Sequence, residues 1–223
     1  MTTKLFIGAI IKYLLGVVLV GLLVFLPAGS LSYTNGWIFM GVLFIPMFVA
    51  GVVMMIKNPK LLESRLNAKE KEKKQSLVVK LSGLMFIAGF VLAGLDYRFK
   101  WLVVNEIVTY VGIGFFLLAY FMYAFVLKQN TYLSRTIEVV EDQKVIDTGL
   151  YGVVRHPMYS ATIILFLSMP LILGSWISFF IFLLYPILIC FRAVNEEKYL
   201  VKELPGYSDY MKKVKYRIIP FIW

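Results

Sequence analysis

The sequence predicts an all-α, polytopic integral membrane bundle: four clear transmembrane helices followed by a short C-terminal helical hairpin. Three observations predict it. The 223 residues are 60% hydrophobic and only 16% charged, with a mean hydropathy of +0.80, against about 25% charged residues in an ordinary soluble domain. The charges are confined to short stretches, leaving uncharged runs long enough to cross a hydrocarbon core, which takes about 20 residues of helix. The 23 Lys and Arg residues fall almost wholly on one side of those runs.

Taken in order, the first span is Leu5 to Leu26, interrupted only by Lys12, which lies near one end and can snorkel to the headgroups. It is longer than a signal-peptide core and no small-residue cleavage site follows, so the N-terminus is expected to stay. The second span is Trp37 to Ile56, the third Leu77 to Leu95 and the fourth Ile107 to Leu127. Met158 to Phe191 is then free of charge for 34 residues and is divided by Gly174-Ser175-Trp176. Each half holds 16 residues, about 24 Å of helix against a core of roughly 30 Å, so both arms are expected to be short. Pro170 and Pro186 predict kinks in the two arms.

Orientation follows from the basic residues. Lys57 to Lys80 carries eight of them and three acidic residues, which makes this loop cytosolic, and both termini then face the cytosol. With Lys4 and Lys12 counted on that face, only Arg98 and Lys100 lie opposite. The net charge of +10 suits an anionic leaflet better than nucleic acid. One cysteine, Cys190, excludes an internal disulfide, and with the single His156 it cannot build a conventional zinc site. The Lys69 to Lys74 run reads as a solvated face.

Chemistry is left to two polar segments at the two ends of the hairpin, Lys128 to Arg155 and Arg192 to Trp223. In Gly149 to Tyr159, His156 precedes a proline and should be extended or in a turn, while Pro157 suits the first turn of a helix. The N-terminus of that helix would attract a carboxylate or phosphate, with Arg155, His156, Tyr151 and Tyr159 around it; an interfacial belt explains the same residues. Arg192 and Glu196 are four apart and share a face if the helix continues, either as a surface ion pair or as functional groups where the hairpin meets water. The stretch from Tyr199 to Trp223 mixes Tyr207, Tyr210 and Tyr216 with basic residues, as an interfacial segment or a lid would. Gly149-Leu150-Tyr151-Gly152 is not a dinucleotide fingerprint, and no Walker, zinc-protease or serine-elbow motif occurs.

The order Arg155-His156-Pro157-Met158-Tyr159, apolar hairpin, Arg192 and Glu196-Glu197, then Tyr207, Tyr210 and Arg217-Ile218-Ile219-Pro220 resembles the isoprenylcysteine carboxyl methyltransferase family and its phospholipid N-methyltransferase relatives. The stretches Asn58 to Arg65 and Gly94 to Trp101 look like prokaryotic members, which implies a prokaryotic plasma membrane. The resemblance implies an S-adenosylmethionine-dependent membrane methyltransferase without a Rossmann domain. It further implies that His156, Pro157, Tyr159, Glu196 and Glu197 enclose the cofactor and that Arg192 and Glu196 lie near the reacting methyl group. Gly112 and Gly114 resemble a Gly-x-Gly motif of the phospholipid enzymes, although small residues in a span also serve helix packing.

The expected division is an N-terminal helix pair, residues 1–56, and a methyltransferase core, residues 57–223. The acceptor is expected to be lipophilic and membrane-borne, either a carboxylate, which Arg192 would orient, or an amine, for which Glu196 would act as base. Tyr151 and Tyr159 would line the adenine, and Arg155 completes the cofactor-site candidates. Two other readings stand beside this one. A membrane sterol-type reductase would bind NADPH through Arg155 and the C-terminal lysines, and a non-enzymatic scaffold would act through its basic loop.

Overall fold

The computed structural model describes residues 3–66, 73–130, 132–133, 139 and 142–223. Most of the Lys69 to Lys74 run, residues 69–72, lies outside them. The described helices are α1 (Thr3–Ala28), α2 (Thr34–Lys57), α3 (Pro59–Leu66), α4 (Lys73–Phe99), α5 (Glu106–Gln129), α6 (Pro157–Leu173), α7 (Trp176–Phe182), α8 (Leu184–Glu203) and α9 (Tyr207–Lys213). Five helical stretches are long and apolar enough to cross a membrane: Lys4–Ala28, Thr34–Lys57, Gln75–Phe99, Glu106–Gln129 and Trp176–Glu203. Their outer faces carry large exposed apolar side chains, such as Leu15, Val18 and Leu22 on α1 and Ile107, Tyr110 and Phe121 on α5. Helices satisfy their own backbone groups, which is what a lipid environment demands. The protein is an integral membrane helical bundle.

The two arms of the hairpin differ from each other more than expected. The first, α6, has 17 residues, about 26 Å of helix, and is short as its sequence implies. Gly174, in the left-handed region at φ 78°, ends it, and the Ser175 side chain caps α7 by accepting from the Ser178 amide at 3.1 Å. The second arm breaks at Leu183 and restarts as α8. Pro186 accounts for the break, because it has no amide for the Phe182 carbonyl and its ring crowds that same group. Unlike the first arm, α8 runs well past Phe191 to Glu203 and carries Arg192, Glu196 and Glu197 on one continuous helix.

With lipid as solvent, the helices associate through close packing rather than water release. Gly112 on α5 lies beneath α6, where a Cβ would come within 2.9 Å of the Leu171 Cβ. The Thr109 hydroxyl donates to the Leu171 carbonyl in the same seam. Gly94 on α4 meets α1, with Val24 O 2.5 Å from where a Cβ would be. Gly89 on α4 receives the Phe182 ring of α7, and the Ser178 hydroxyl donates to its carbonyl at 2.9 Å. The N-terminal pair thus rests on the core helices, α1 against α4 and α2 against α6. Phe39, Phe90, Phe116, Ile172 and Phe182 fill the space between.

The tip of the hairpin is fixed by Asp96 at the end of α4. This fully buried carboxylate accepts from the Leu102 amide at 2.7 Å and from the Ser175 hydroxyl at 2.5 Å. Backbone bonds from Val104 to Gly174 and from Trp176 to Leu102 complete the junction. The far end of the hairpin is therefore held rigidly, and the polar segments at the other end are built against a fixed frame.

Of the two glycines in the Gly-x-Gly pair, Gly112 is packed against α6, while Gly114 would place a Cβ in open space. Gly112→Leu should lower stability by about 1–3 kcal/mol through overpacking. Gly114→Leu should leave it nearly unchanged, and apparent melting temperatures in detergent compare the two directly.

Candidate functional site

The segment leading into α6 is shaped residue by residue. Gly149 adopts φ 58° beside the Gln129 side chain, which occupies the space a Cβ would need. Gln129 Oε1 accepts from the Leu150 amide at 3.2 Å, and a 3-10 turn follows over Gly149–Gly152. The chain then runs beside the C-terminal tail, with the Arg155 amide donating to the Tyr216 carbonyl and the His156 amide to that of Arg217. His156 has φ −125° and ψ 62°, and Pro157 starts α6, both as the sequence predicts. The amides of Tyr159 and Ser160 both donate to the His156 carbonyl, so this helix start keeps fewer amides for a ligand than expected.

Glu196 and Glu197 are neighbours on α8 and therefore point about 100° apart. Glu197 turns toward the tail. Its carboxylate accepts from Arg155 Nε at 2.6 Å and from Arg217 Nε at 2.8 Å, and His156 Nε2 lies 3.2 Å from it. Arg155 also donates through Nη1 to the carbonyls of Val214 and Lys215, at 2.7 and 2.9 Å. Arg155, His156 and Glu197 are all buried. The Arg155 and Glu197 charges, removed from water in this way, persist only when each is paired and hydrogen-bonded, as these are. Ser160 Oγ donates to the Ile218 carbonyl at 2.5 Å, and the Arg217 guanidinium lies over the Trp223 ring, which fastens the rest of the tail.

Glu196 turns the other way. It accepts a hydrogen bond from the Tyr159 hydroxyl, which itself accepts from Arg192 Nε at 3.0 Å. The His156 ring stacks on Tyr159 with centroids 5.3 Å apart. Arg192, Glu196 and Tyr159 thus form one hydrogen-bonded group, joined across the hairpin rather than along one helix face.

This group lies in the wall of a cavity of about 500 Å³, within the size range of small-molecule sites. Tyr151, Tyr207, Tyr210, Asn130 and Tyr132 are among its polar and aromatic lining residues. Val78, Val79, Ser82, Gly83 and Phe86 of α4 also line it, together with Met158, Thr162, Phe166, Tyr185 and Ile189 of the hairpin. Gly83 is exposed, and a Cβ there would meet nothing within 4 Å, so α4 leaves open space at that point. Tyr151 is held by Asn130, which donates to its hydroxyl, and by Tyr210, whose hydroxyl donates to its carbonyl at 2.7 Å. Burial pushes the hydroxyls of Tyr151 and Tyr210 above the ordinary tyrosine range, so both stay protonated.

Six of the eight cofactor-site and catalytic candidates named from the sequence line the cavity, Tyr151, Arg155, His156, Tyr159, Arg192 and Glu196, as do Tyr207 and Tyr210 of the C-terminal stretch. Pro157 and Glu197 are not among its lining residues; Pro157 starts the helix and Glu197 secures the tail. Sequence reasoning passed over Arg65 of α3, which lines the cavity and donates to the Tyr123 hydroxyl at 2.9 Å with its guanidinium over that ring. One signal was present: Arg65 is the single arginine in a basic loop otherwise made of lysines, and arginine is the residue suited to stacking and directional bonding.

Removing the Glu197 carboxylate would leave Arg155, His156 and Arg217 facing one another. Glu197→Ala should destabilise the protein by about 3–5 kcal/mol and release the tail, read as faster tryptic cleavage after Lys213 and Lys215. Glu196→Ala should leave that cleavage as slow as in the parent chain.

Residues 106–205 match the phospholipid methyltransferase family. That stretch contains α5, the Arg155 to Tyr159 segment, the hairpin and Arg192 to Glu197. A Delta(14)-sterol reductase from Mus musculus is 33% identical over 91 residues, which make up 40% of this chain and 22% of that protein. The chain therefore spans about a fifth of the length of that relative. The family matched over residues 106–205 is one of the groups that the motifs of the chain resemble.

Proposed function

We propose that the protein is an S-adenosylmethionine-dependent methyltransferase that modifies a lipophilic acceptor drawn from the bilayer at the cytosolic face. The observation that carries this reading is one cavity lined by both polar aromatic and apolar residues, with Tyr159, Arg192 and Glu196 in its wall. The residues present suit the cofactor. Its sulfonium and ammonium call for a carboxylate, which Glu196 provides, and its adenine calls for aromatic walls, which Tyr151 and Tyr210 provide. Its carboxylate calls for a cation, and the wall holds Arg65 besides the start of α6.

When bound, S-adenosylmethionine supplies an electrophilic methyl group to an in-line displacement. The protein's part is positioning and the exclusion of water. Glu196 holds negative charge beside the cofactor subsite, and its bond from Tyr159 fixes the carboxylate in one orientation. Arg192, anchored on the same tyrosine, would orient an acceptor carboxylate; an acceptor amine would instead give its proton to Glu196. The exposed Gly83 marks where an acceptor tail would pass from lipid into the cavity. The same reading puts both termini and the Lys57 to Lys80 loop in the cytosol, in the plasma membrane of a prokaryote.

A second reading, an NADPH-dependent reductase, rests on the partial likeness to the mouse Delta(14)-sterol reductase. Binding separates the two. Calorimetry on the purified protein should give saturable binding of S-adenosylmethionine that Glu196→Ala abolishes; quenching by NADPH with no response to S-adenosylmethionine would reverse the choice. Arg192→Ala should keep cofactor affinity and lower methyl transfer by about 10²-fold, the scale of a misplaced reactant. Gly83→Trp should cut methyl incorporation into native membranes at least severalfold with cofactor affinity unchanged.

A further inference from the structure

Residues 218–223 form a turn whose base is fixed and whose tip is bare. The Ile218 and Ile219 amides donate to the main-chain oxygen of Trp223, and the Ile222 and Trp223 amides donate to the Ile219 carbonyl. Pro220 has no amide, so these donors are satisfied within the turn, as a lipid environment demands. Ile218 is buried in the main apolar core, and Trp223 packs against that core. Between them the residues are exposed, Ile219 at 45%, Phe221 at 84% and Ile222 at 77%, with Pro220 exposed as well. Phe221 adopts φ 65°, a left-handed conformation that is strained for a bulky residue. Its ring contact with Tyr216, at 5.4 Å between centroids, leaves most of the side chain bare, so packing within the protein offsets little of that strain.

The level of the turn says what covers it. Ser160, in the first turn of α6, donates to the Ile218 carbonyl, and Arg217 binds Glu197 of α8 at 2.8 Å. With 17 residues, α6 is shorter than the hydrocarbon core and is fixed at the hairpin tip, so its first turn lies where the bundle meets the headgroups. The exposed apolar surface of α8 continues through Ile187 and Phe191, to within about 9 Å of Glu197 along the helix. Lys212, Lys213 and Lys215, all exposed, precede the turn. Lys212 and Lys213 have carboxylate partners, and the Lys215 side chain has none among the described residues. Single exposed apolar residues are ordinary, but four in a row beside cations suit the boundary between headgroups and acyl chains. We propose that residues 219–222 are a membrane anchor: Ile219, Phe221 and Ile222 insert into the acyl boundary of the leaflet on the cavity's side, with Lys215 at phosphate level. The tail is then held from two sides, by Glu197 within the protein and by lipid outside it, which keeps Tyr207 and Tyr210 of α9 in the cavity wall.

The test attaches a nitroxide at Phe221→Cys, at Ile222→Cys and, as an aqueous reference, at Lys212→Cys, each in a Cys190→Ser background. The proteins are placed in liposomes of phosphatidylcholine and phosphatidylglycerol, and access of oxygen and of a water-soluble nickel chelate is read by power-saturation EPR. Labels at 221 and 222 should favour oxygen over the chelate severalfold more than the label at 212, at a depth of about 5–10 Å. A ratio equal to that at 212 overturns the proposal, as does poor access to both reagents, the pattern of a contact with a second copy. Either label decides alone should the other variant fail to fold. In the same liposomes, Phe221→Ser with Ile222→Ser should speed tryptic cleavage after Lys215 severalfold, and an unchanged rate overturns the anchoring role.

Discussion

The arrangement of the site depends on one buried carboxylate. Glu197 on α8 gathers Arg155 and His156 from the segment before α6 and Arg217 from the tail. These three pieces of chain are far apart in sequence and are otherwise joined by a few backbone bonds. The charges are too deeply buried to be left unmatched, so the carboxylate fixes the relative positions of both ends of the hairpin and the C-terminal strap. Everything that faces the cavity from the other side of this cluster inherits its placement. His156 stacks on Tyr159, Tyr159 bridges Arg192 and Glu196, and the tail beyond Val214 is pinned by Arg155.

The adjacent glutamates illustrate how a helix divides labour. Two neighbouring residues on α8 face about 100° apart, and one secures structure while the other faces the cavity. The same division holds along the hairpin. Asp96 and Ser175 lock its tip, and the opposite end carries the polar groups. The membrane frame can therefore be apolar and tightly packed, with glycines admitting close helix contacts, while the chemistry is confined to one end.

Much of this architecture was legible in the sequence. Long uncharged runs can only be helices in lipid, so the spans followed from hydropathy, and Pro157 and Gly174 marked the limits of α6 correctly. The break before α8 was implied by Pro186, because its effect falls on the preceding turn, at Phe182 and Leu183. Glu197's structural role was less visible, since the resemblance treats the paired glutamates together and only helical periodicity separates them. Arg65 stood out only as the one arginine among the lysines of its loop, and its contact with Tyr123 was not legible, because nothing local marks a contact between residues 58 positions apart. The docking of the tail through the carbonyls of Val214 and Lys215 was equally hidden, as backbone acceptors leave no trace in residue type.

The central claim is that the cavity transfers a methyl group to something that dissolves in the bilayer. The most direct measurement incubates native membranes containing the protein with methyl-labelled S-adenosylmethionine and follows the label. The account predicts label in an organic-extractable product, absent when Glu196 is replaced by alanine. Label that stays wholly in the aqueous phase, or incorporation that persists in that variant, would contradict it.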